Sequence, residues 1–299
     1  IKSAVMHVPT QGCRSTVHQS GIVWGGVPVP VVQKYCYLGL WFQSDLSWEV
    51  HFQHVLQKVQ NVTRCYMPLW KSRHVSVEVK RIVLLSCVRP IIEYASEVWV
   101  PNANQRQKLN VCQLKIIKIS MRLLSYKPCS EALLAEWGLK PMHMWLHERV
   151  MMFYAKLRLM PAERLPKKVF DACWTHQGRS VCLPWQRYVN GLLCKYGVTL
   201  GADVSDYDAC MSVIKSRVKS VWHEDVTLTT PLEKTTLKRY VDWVNPVIVR
   251  KLSLKSCSPY LKLSPCYGVE LLLRVRLSCL PVHAHTVGFQ QPDIDRRRS

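Results

Sequence analysis

The hydrophobic pattern of the chain changes at Ser47, and this change constrains the fold more than any other feature of the sequence. From that point apolar residues recur at steps of three and four, which predicts an amphipathic helix that runs to about Tyr66 with Ser47 as its N-cap. Residues 45–160 are predicted to form a helical bundle, with further helices over 76–89, 104–125 and 141–157. In the predicted helix 76–89, the side expected to be buried consists of Val79, Ile82, Val83 and Val88.

Residues 1–44 follow a different pattern. Short apolar runs bounded by Gly and Pro predict strands and hairpins there, and the runs lie at 4–8, 22–24, 27–32 and 35–42. The first carboxylate of the chain is Asp45, so chemistry that needs paired carboxylates is excluded from this segment. The two patterns together predict an α+β fold class that is mainly α.

The helical pattern loosens after residue 160, because Pro161, Pro166, Gly178 and Pro184 interrupt a polar stretch. We expect a linker over 161–184. Residues 185–299 are predicted to be a second, C-terminal helical region with a basic tail. Its helices are expected at 185–196, 205–224, 231–244 and 267–278.

The chain is strongly basic, with 41 Lys and Arg against 20 Asp and Glu and a formal charge of +21. Such a surface favours polyanionic partners. Nucleic acid is favoured over an anionic membrane, because the sequence has no apolar stretch of the roughly 18 residues that a membrane span needs. The 13 cysteines are spread along the chain without a C-x-x-C pair. This pattern predicts reduced thiols, no zinc site and an intracellular protein of the nucleus or cytoplasm.

The segment between Glu97 and Glu131 contains six Lys or Arg and no acid. Four of these cations are spaced at seven, three and four residues, so on one helix they would form a basic stripe: Lys108, Lys115, Lys118 and Arg122. The stripe would lie opposite Leu109, Cys112, Ile116 and Leu123. Solvated helix faces usually mix charges of both signs, so a face of one sign favours phosphate contact over simple solvation.

Four short motifs follow one another in an order that is specific in combination. They are Lys2-Ser3-Ala4-Val5-Met6, Tyr35-Cys36-Tyr37-Leu38-Gly39-Leu40, Arg89-Pro90-Ile91-Ile92-Glu93-Tyr94 with Val98-Trp99, and the segment 131–141. In this order the chain resembles, over about residues 1–160, the reverse transcriptases of non-LTR (LINE-type) retrotransposons. Taken alone, each motif also has an ordinary structural explanation, such as an edge strand with a bulge glycine.

The resemblance implies a role for each region. Residues 1–44 would be the end of a polymerase palm with its primer-grip strand, and residues 45–160 the helical thumb. The implied partner is an RNA template with its DNA primer, and the sequence leaves the oligomeric state open. The residues expected to contact nucleic acid are Lys2, Tyr37, Leu38, Gly39, Lys108, Lys115, Lys118 and Arg122.

The aspartates with which this family holds two Mg²⁺ ions would precede residue 1, and Asp203, Asp206 and Asp208 are better explained by the start of a helix. We therefore expect a C-terminal fragment with no catalytic residue, metal or cofactor of its own, Mg²⁺ being implied only for the complete parent enzyme. Two alternatives stay open. In the first, the chain is a stand-alone basic helical protein that binds RNA or DNA. In the second, it is a relic or a scaffold for protein contacts.

Overall fold

The computed structural model describes residues 3–8, 21–175, 184–200, 206–226, 257–262 and 267–277. Within these ranges the chain is mainly helical, with two small antiparallel hairpins. The predicted α+β, mainly α fold class is confirmed at this level. The helix predicted over 231–244 lies outside the described residues.

Two hairpins form the β part of the chain that the structure describes. Strand β1 (Val23–Trp24) pairs with β2 (Val27–Pro28), and β3 (Lys34–Tyr37) pairs with β4 (Leu40–Gln43). The apolar run 35–42, for which strand or hairpin structure was predicted, lies in the second hairpin, because the chain reverses at Leu38 and Gly39. Their φ angles are +48° and +80°, the left-handed conformation that two-residue hairpin turns require to match the strand twist.

Helix α1 (Glu49–Cys65) confirms the first amphipathic pattern, with Phe52, Val55 and Val59 buried. Ser47 is not its cap. The side chain of Gln43, at the end of β4, accepts a hydrogen bond from the backbone N–H of Val50 at 2.8 Å. The hairpin β3–β4 is thereby joined to the start of α1, and the short helix α2 (Met67–Lys71) follows.

The predicted helix over 76–89 is longer than expected. Helix α3 (Val77–Val83), capped by the Ser76 side chain, passes through a wider π-helical turn (Leu84–Val88) into α4 (Arg89–Glu93). Proline lacks an N–H and its ring clashes with the preceding helical turn, and the wider turn lets the helix continue past Pro90. The short helix α5 (Ser96–Trp99) follows.

The buried face of α3 also differs from the prediction. Val79 and Ile82 are 44% and 52% exposed, whereas Lys80 and Arg81 are buried. Lys80 Nζ donates to the carbonyls of Ser72 and Ser120, at 2.8 and 3.1 Å. These carbonyls lie at helix C-termini, where backbone groups have no partner within their own helix, so a buried cation is favoured there over an apolar side chain.

Helix α8 (Met142–Arg158) is the centre of the bundle, and it packs against α5, α6, α10 and α11. Helix α6 (Ala103–Ser120) begins at a reciprocal capping box between Asn102 and Gln105. Helix α7 (Ser130–Glu136) lies between these two in sequence.

The remaining helices of the described residues are α9 (Leu165–Thr175), α10 (Pro184–Tyr196), α11 (Tyr207–Glu224) and α12 (Tyr267–Arg276), with a 3₁₀ turn at Pro259–Lys262. Helix α9 occupies part of the range where a linker was predicted. One cluster of buried apolar side chains extends from Phe52 of α1 to Leu273 of α12. The C-terminal segment is tied to this core by Arg276, which lies 2.8 Å from the buried carboxylate of Glu136.

Candidate nucleic-acid interface

Helix α6 presents three of the four predicted stripe cations on one side. Lys108 and Lys115 are exposed and Lys118 is half-buried, whereas Leu109 and Ile117 on the other side are buried. The three lysines thus share one side of α6, but the prediction that Cys112 and Ile116 lie opposite them was wrong, because both line one groove together with Lys115. Contact of the three lysines with phosphate stays a prediction.

Arg122 does not belong to the helical stripe. Helix α6 ends at Ser120, and Arg122 adopts a left-handed conformation with φ +56° in the turn that follows. In this turn the N–H of Leu123 bonds to the carbonyl of Lys118 at 2.8 Å and that of Arg122 to Ile119 at 3.2 Å, which is the Schellman motif of helix C-termini. The Arg122 guanidinium donates to the Lys71 carbonyl at 3.2 Å, and this hydrogen bond joins the turn after α6 to the end of α2.

A groove of about 380 Å³ lies between α1, the start of α2 and α6. Its base is apolar and includes Val59, Ile116 and Ile119. Arg64 of α1 and Lys115 of α6 line it from opposite walls, and the residues that line it include no carboxylate. Two cations therefore line one groove, and no carboxylate among the lining residues would compete with a bound phosphate for them.

A carboxylate, that of Glu49, lies beside the N-terminal part of α6. Glu49 accepts hydrogen bonds from Gln53 at 2.6 Å and from Gln105 at 3.0 Å, and these hold the pKa of its carboxyl below the ordinary value. Lys108 lies close enough to lower that pKa further. Part of the Lys108 charge is thus offset by an ionised neighbour, and Lys115 and Arg64 are the stronger candidates for phosphate contact.

The second group of predicted residues lies at the tip of the β3–β4 hairpin. Tyr37 and Leu38 are exposed there. The Tyr94 hydroxyl donates to the Leu38 carbonyl at 2.7 Å, and a Cβ added at Gly39 would lie 3.3 Å from the Tyr94 ring. Two of the sequence motifs, Tyr-Leu-Gly and the segment that ends in Tyr94, therefore meet in space.

The predicted residues thus form two groups, each with its own neighbours, one at the hairpin tip beside Tyr94 and one along α6 beside α1. Lys2 lies outside the described residues. Arg64 was not predicted, because it lies outside the apolar face that identifies α1 in the sequence. A signal was present on the polar face, where Gln53, Gln57, Gln60 and Arg64 recur at steps of four, three and four.

Of the acidic cluster Asp203, Asp206 and Asp208, Asp203 lies outside the described residues, and Asp206 has the structural role at the start of a helix that the sequence indicated. Asp206 caps α11 by accepting hydrogen bonds from the backbone N–H groups of Asp208 and Ala209. In the part of the chain that the structure describes, no group of three or more His, Cys, Asp or Glu side chains is placed to hold a metal ion. Among the described helices, none is both long and apolar enough to cross a membrane.

Comparison with protein-family models finds no match to this chain, and comparisons with curated proteins and with solved structures find none either.

Proposed function

We propose that the chain binds nucleic acid along the α1–α6 groove. We further propose, from the order of the four motifs, that it is the template-primer-gripping C-terminal part of a retrotransposon RNA-directed DNA polymerase. The observation that carries the first proposal is the groove itself, with Arg64 and Lys115 on opposite walls and no lining carboxylate.

The chemistry of the groove suits a sugar-phosphate backbone. Lys and Arg are the usual donors to phosphate oxygens, and such contacts position a nucleic acid without reading its sequence. Apart from the two cations, Gln60 and Thr63 are the side chains of the lining that carry N–H or O–H donors, and the Thr63 hydroxyl already donates to the Val59 carbonyl, so few donors are left for base edges. Weak sequence preference follows, which suits a protein that must move along any template.

The test is the salt dependence of binding to an RNA–DNA hybrid. Each phosphate that a cation neutralises releases condensed counterion, so log K falls with log salt by roughly 0.7 to 0.9 per contact. Replacing Arg64, Lys108 and Lys115 together by Gln removes three such contacts. We expect the slope to become shallower by about two to three units. Arg122 stays unchanged because its guanidinium supports the carbonyl of Lys71.

A matched control is needed because a chain of charge +21 binds polyanions through any part of its surface. The triple Gln variant at Lys156, Lys168 and Lys215 removes the same charge from exposed positions on α8, α9 and α11. Its slope should change by less than one unit, and circular dichroism should show equal helicity in both variants. Equal loss of salt dependence in the two variants would mean that binding is diffuse and that the groove assignment is wrong.

A further inference from the structure

A second groove, of about 540 Å³, lies between α8, α9 and α10. Its lining is almost entirely apolar and includes Phe153, Val169, Phe170, Trp174 and Trp185. Glu97 and Gln186 are the polar side chains among the residues that line it. This groove belongs to other helices than the cationic groove, and its chemistry is opposite.

The aromatic side of the groove is held in place by ring contacts. Phe170 stacks on Trp174 with ring centroids 5.0 Å apart and an angle of 25°. Trp174 and Phe153 both meet Trp185 edge to face, at 6.4 and 6.1 Å. Trp185 Nε1 in turn donates to the Glu97 carbonyl at 3.0 Å. These contacts preform the site, so a ligand would not have to order it.

The rest of the lining includes exposed apolar side chains. Leu165 and Val169, one turn apart on α9, are 72% and 54% exposed, and Val98 of α5 is 46% exposed. Single exposed apolar residues are ordinary, but a contiguous set around an aromatic groove is typical of a contact surface.

The charges around the groove are predominantly positive. Residues 156–175 and 184–196 contain seven Lys or Arg against two acids. The Glu97 carboxylate lies 3.3 Å from Arg149, and Asp171 lies 2.9 Å from Lys167, so these two carboxylates are paired. Arg164 and Lys168 are exposed on either side of Leu165.

We propose that this groove binds an amphipathic helix of an acidic partner protein, with its apolar face on the aromatic rings and its Asp and Glu facing Arg164 and Lys168. A second copy of the chain is disfavoured because it also carries +21. A flat bilayer cannot reach the base of a concave groove. Helix α9, with 11 residues, is about 16 Å long, which matches about three turns of a docked helix.

Fluorescence anisotropy of a labelled synthetic peptide tests the proposal on the full chain. The probe is a helical peptide of roughly 15 residues with Leu and Trp at i, i+3, i+4 and i+7 and Glu elsewhere. Replacing Leu165 and Val169 by Gln should weaken its binding at least about tenfold. The control replaces Val79 and Ile82, which are exposed on α3, by Gln and should leave binding unchanged.

Two altered probes complete the test. The same peptide with Lys in place of Glu, and one with Ser in place of Leu and Trp, should each bind at least about tenfold more weakly. Equal binding of the Glu and Lys peptides, or of the Leu/Trp and Ser peptides, would overturn the proposal. So would equal effects of the two double variants. Sedimentation that showed dimers abolished by the Leu165/Val169 change would instead identify a second copy as the occupant.

Discussion

His147, in the middle of α8, is buried with its Nδ1 2.8 Å from the Tyr196 hydroxyl. Burial lowers its pKa to about 2, and the neighbouring charges of Lys195 and Arg106 act in the same direction. The pKa of His143, one helical turn away, is lowered to about 4 for the same reasons. Both imidazoles are therefore neutral in the folded protein across the physiological range.

These histidines make the stability of the protein depend on pH. In the unfolded chain their pKa returns to about 6.5, so below that pH the unfolded state binds protons that the folded state does not. Their contribution is complete well above pH 6.5 and is lost as the pH falls below it, down to about 4 for His143 and about 2 for His147. In this window each such histidine lowers the free energy of unfolding by up to about 1.4 kcal/mol for every unit by which the pH falls.

We predict that His147→Asn makes this dependence shallower. Asn keeps a polar group near the position of Nδ1 and does not titrate. Urea unfolding at several values between pH 6.5 and 5 should show a slope reduced by up to about 1.4 kcal/mol per pH unit relative to the parent chain. An unchanged slope would show that His147 is protonated in the folded state, whatever the effect of the substitution on stability at neutral pH.

At the scale of the elements, cations near the C-terminal ends of helices explain how the bundle is joined. Lys80 donates to the Ser120 carbonyl at the end of α6 and to the Ser72 carbonyl just after α2. Arg81 donates to the carbonyls of Trp137 and Gly138, which follow α7. Arg122 donates to the carbonyl of Lys71, the last residue of α2. Terminal helix carbonyls have no partner within their own helix, and the helix dipole makes these ends negative. The cations satisfy both conditions at once.

Lys80→Met should therefore destabilise the fold by about 2–3 kcal/mol, because two carbonyls lose their donor while the volume of the side chain is nearly kept. Chemical denaturation at neutral pH measures the change. Lys71→Met is the comparison, since Lys71 is exposed on the neighbouring helix α2 and its loss should cost less than about 0.5 kcal/mol. Similar losses in both variants would argue against the capping role of Lys80.

For the whole molecule, the two grooves divide the surface by chemistry. The α1–α6 groove has cations on both walls, and the α8–α10 groove has a preformed aromatic base. A protein that binds a template in the first groove and a partner protein in the second would use both grooves. Neither kind of binding requires a catalytic side chain. Residues 1–44, where the resemblance places the end of the palm, contain no Asp or Glu.

We accordingly expect no template-dependent DNA synthesis by the chain with an RNA template, a DNA primer and Mg²⁺ or Mn²⁺. The two-metal mechanism needs paired carboxylates at the primer terminus. Primer extension against a no-protein control measures this, with an active reverse transcriptase as the positive control. Synthesis that disappears in an Asp206→Asn, Asp208→Asn variant would place a metal site at the start of α11 and contradict the proposed role of the chain.

The sequence by itself determined where the main helices lie and the fold class they produce. Periodicity and capping are local, so α1, α6, α10 and α11 begin within about two residues of the predicted positions. The three-lysine face of α6 and the high net charge also follow from sequence alone, because spacing on a helix fixes which side chains share a side.

Only the tertiary structure decided which of these side chains are available. Lys80 donates a hydrogen bond to the carbonyl of Ser120, which is 40 residues away in the sequence, and Arg81 donates to that of Trp137, 56 residues away. Both cations are buried because the fold brings these distant acceptors to them. Arg64 and Lys115 become a pair because α1 packs beside α6, and Tyr94 meets the Leu38 turn across 56 residues. A local pattern describes one element at a time, whereas burial, ion pairing and grooves arise between elements whose packing no local spacing specifies.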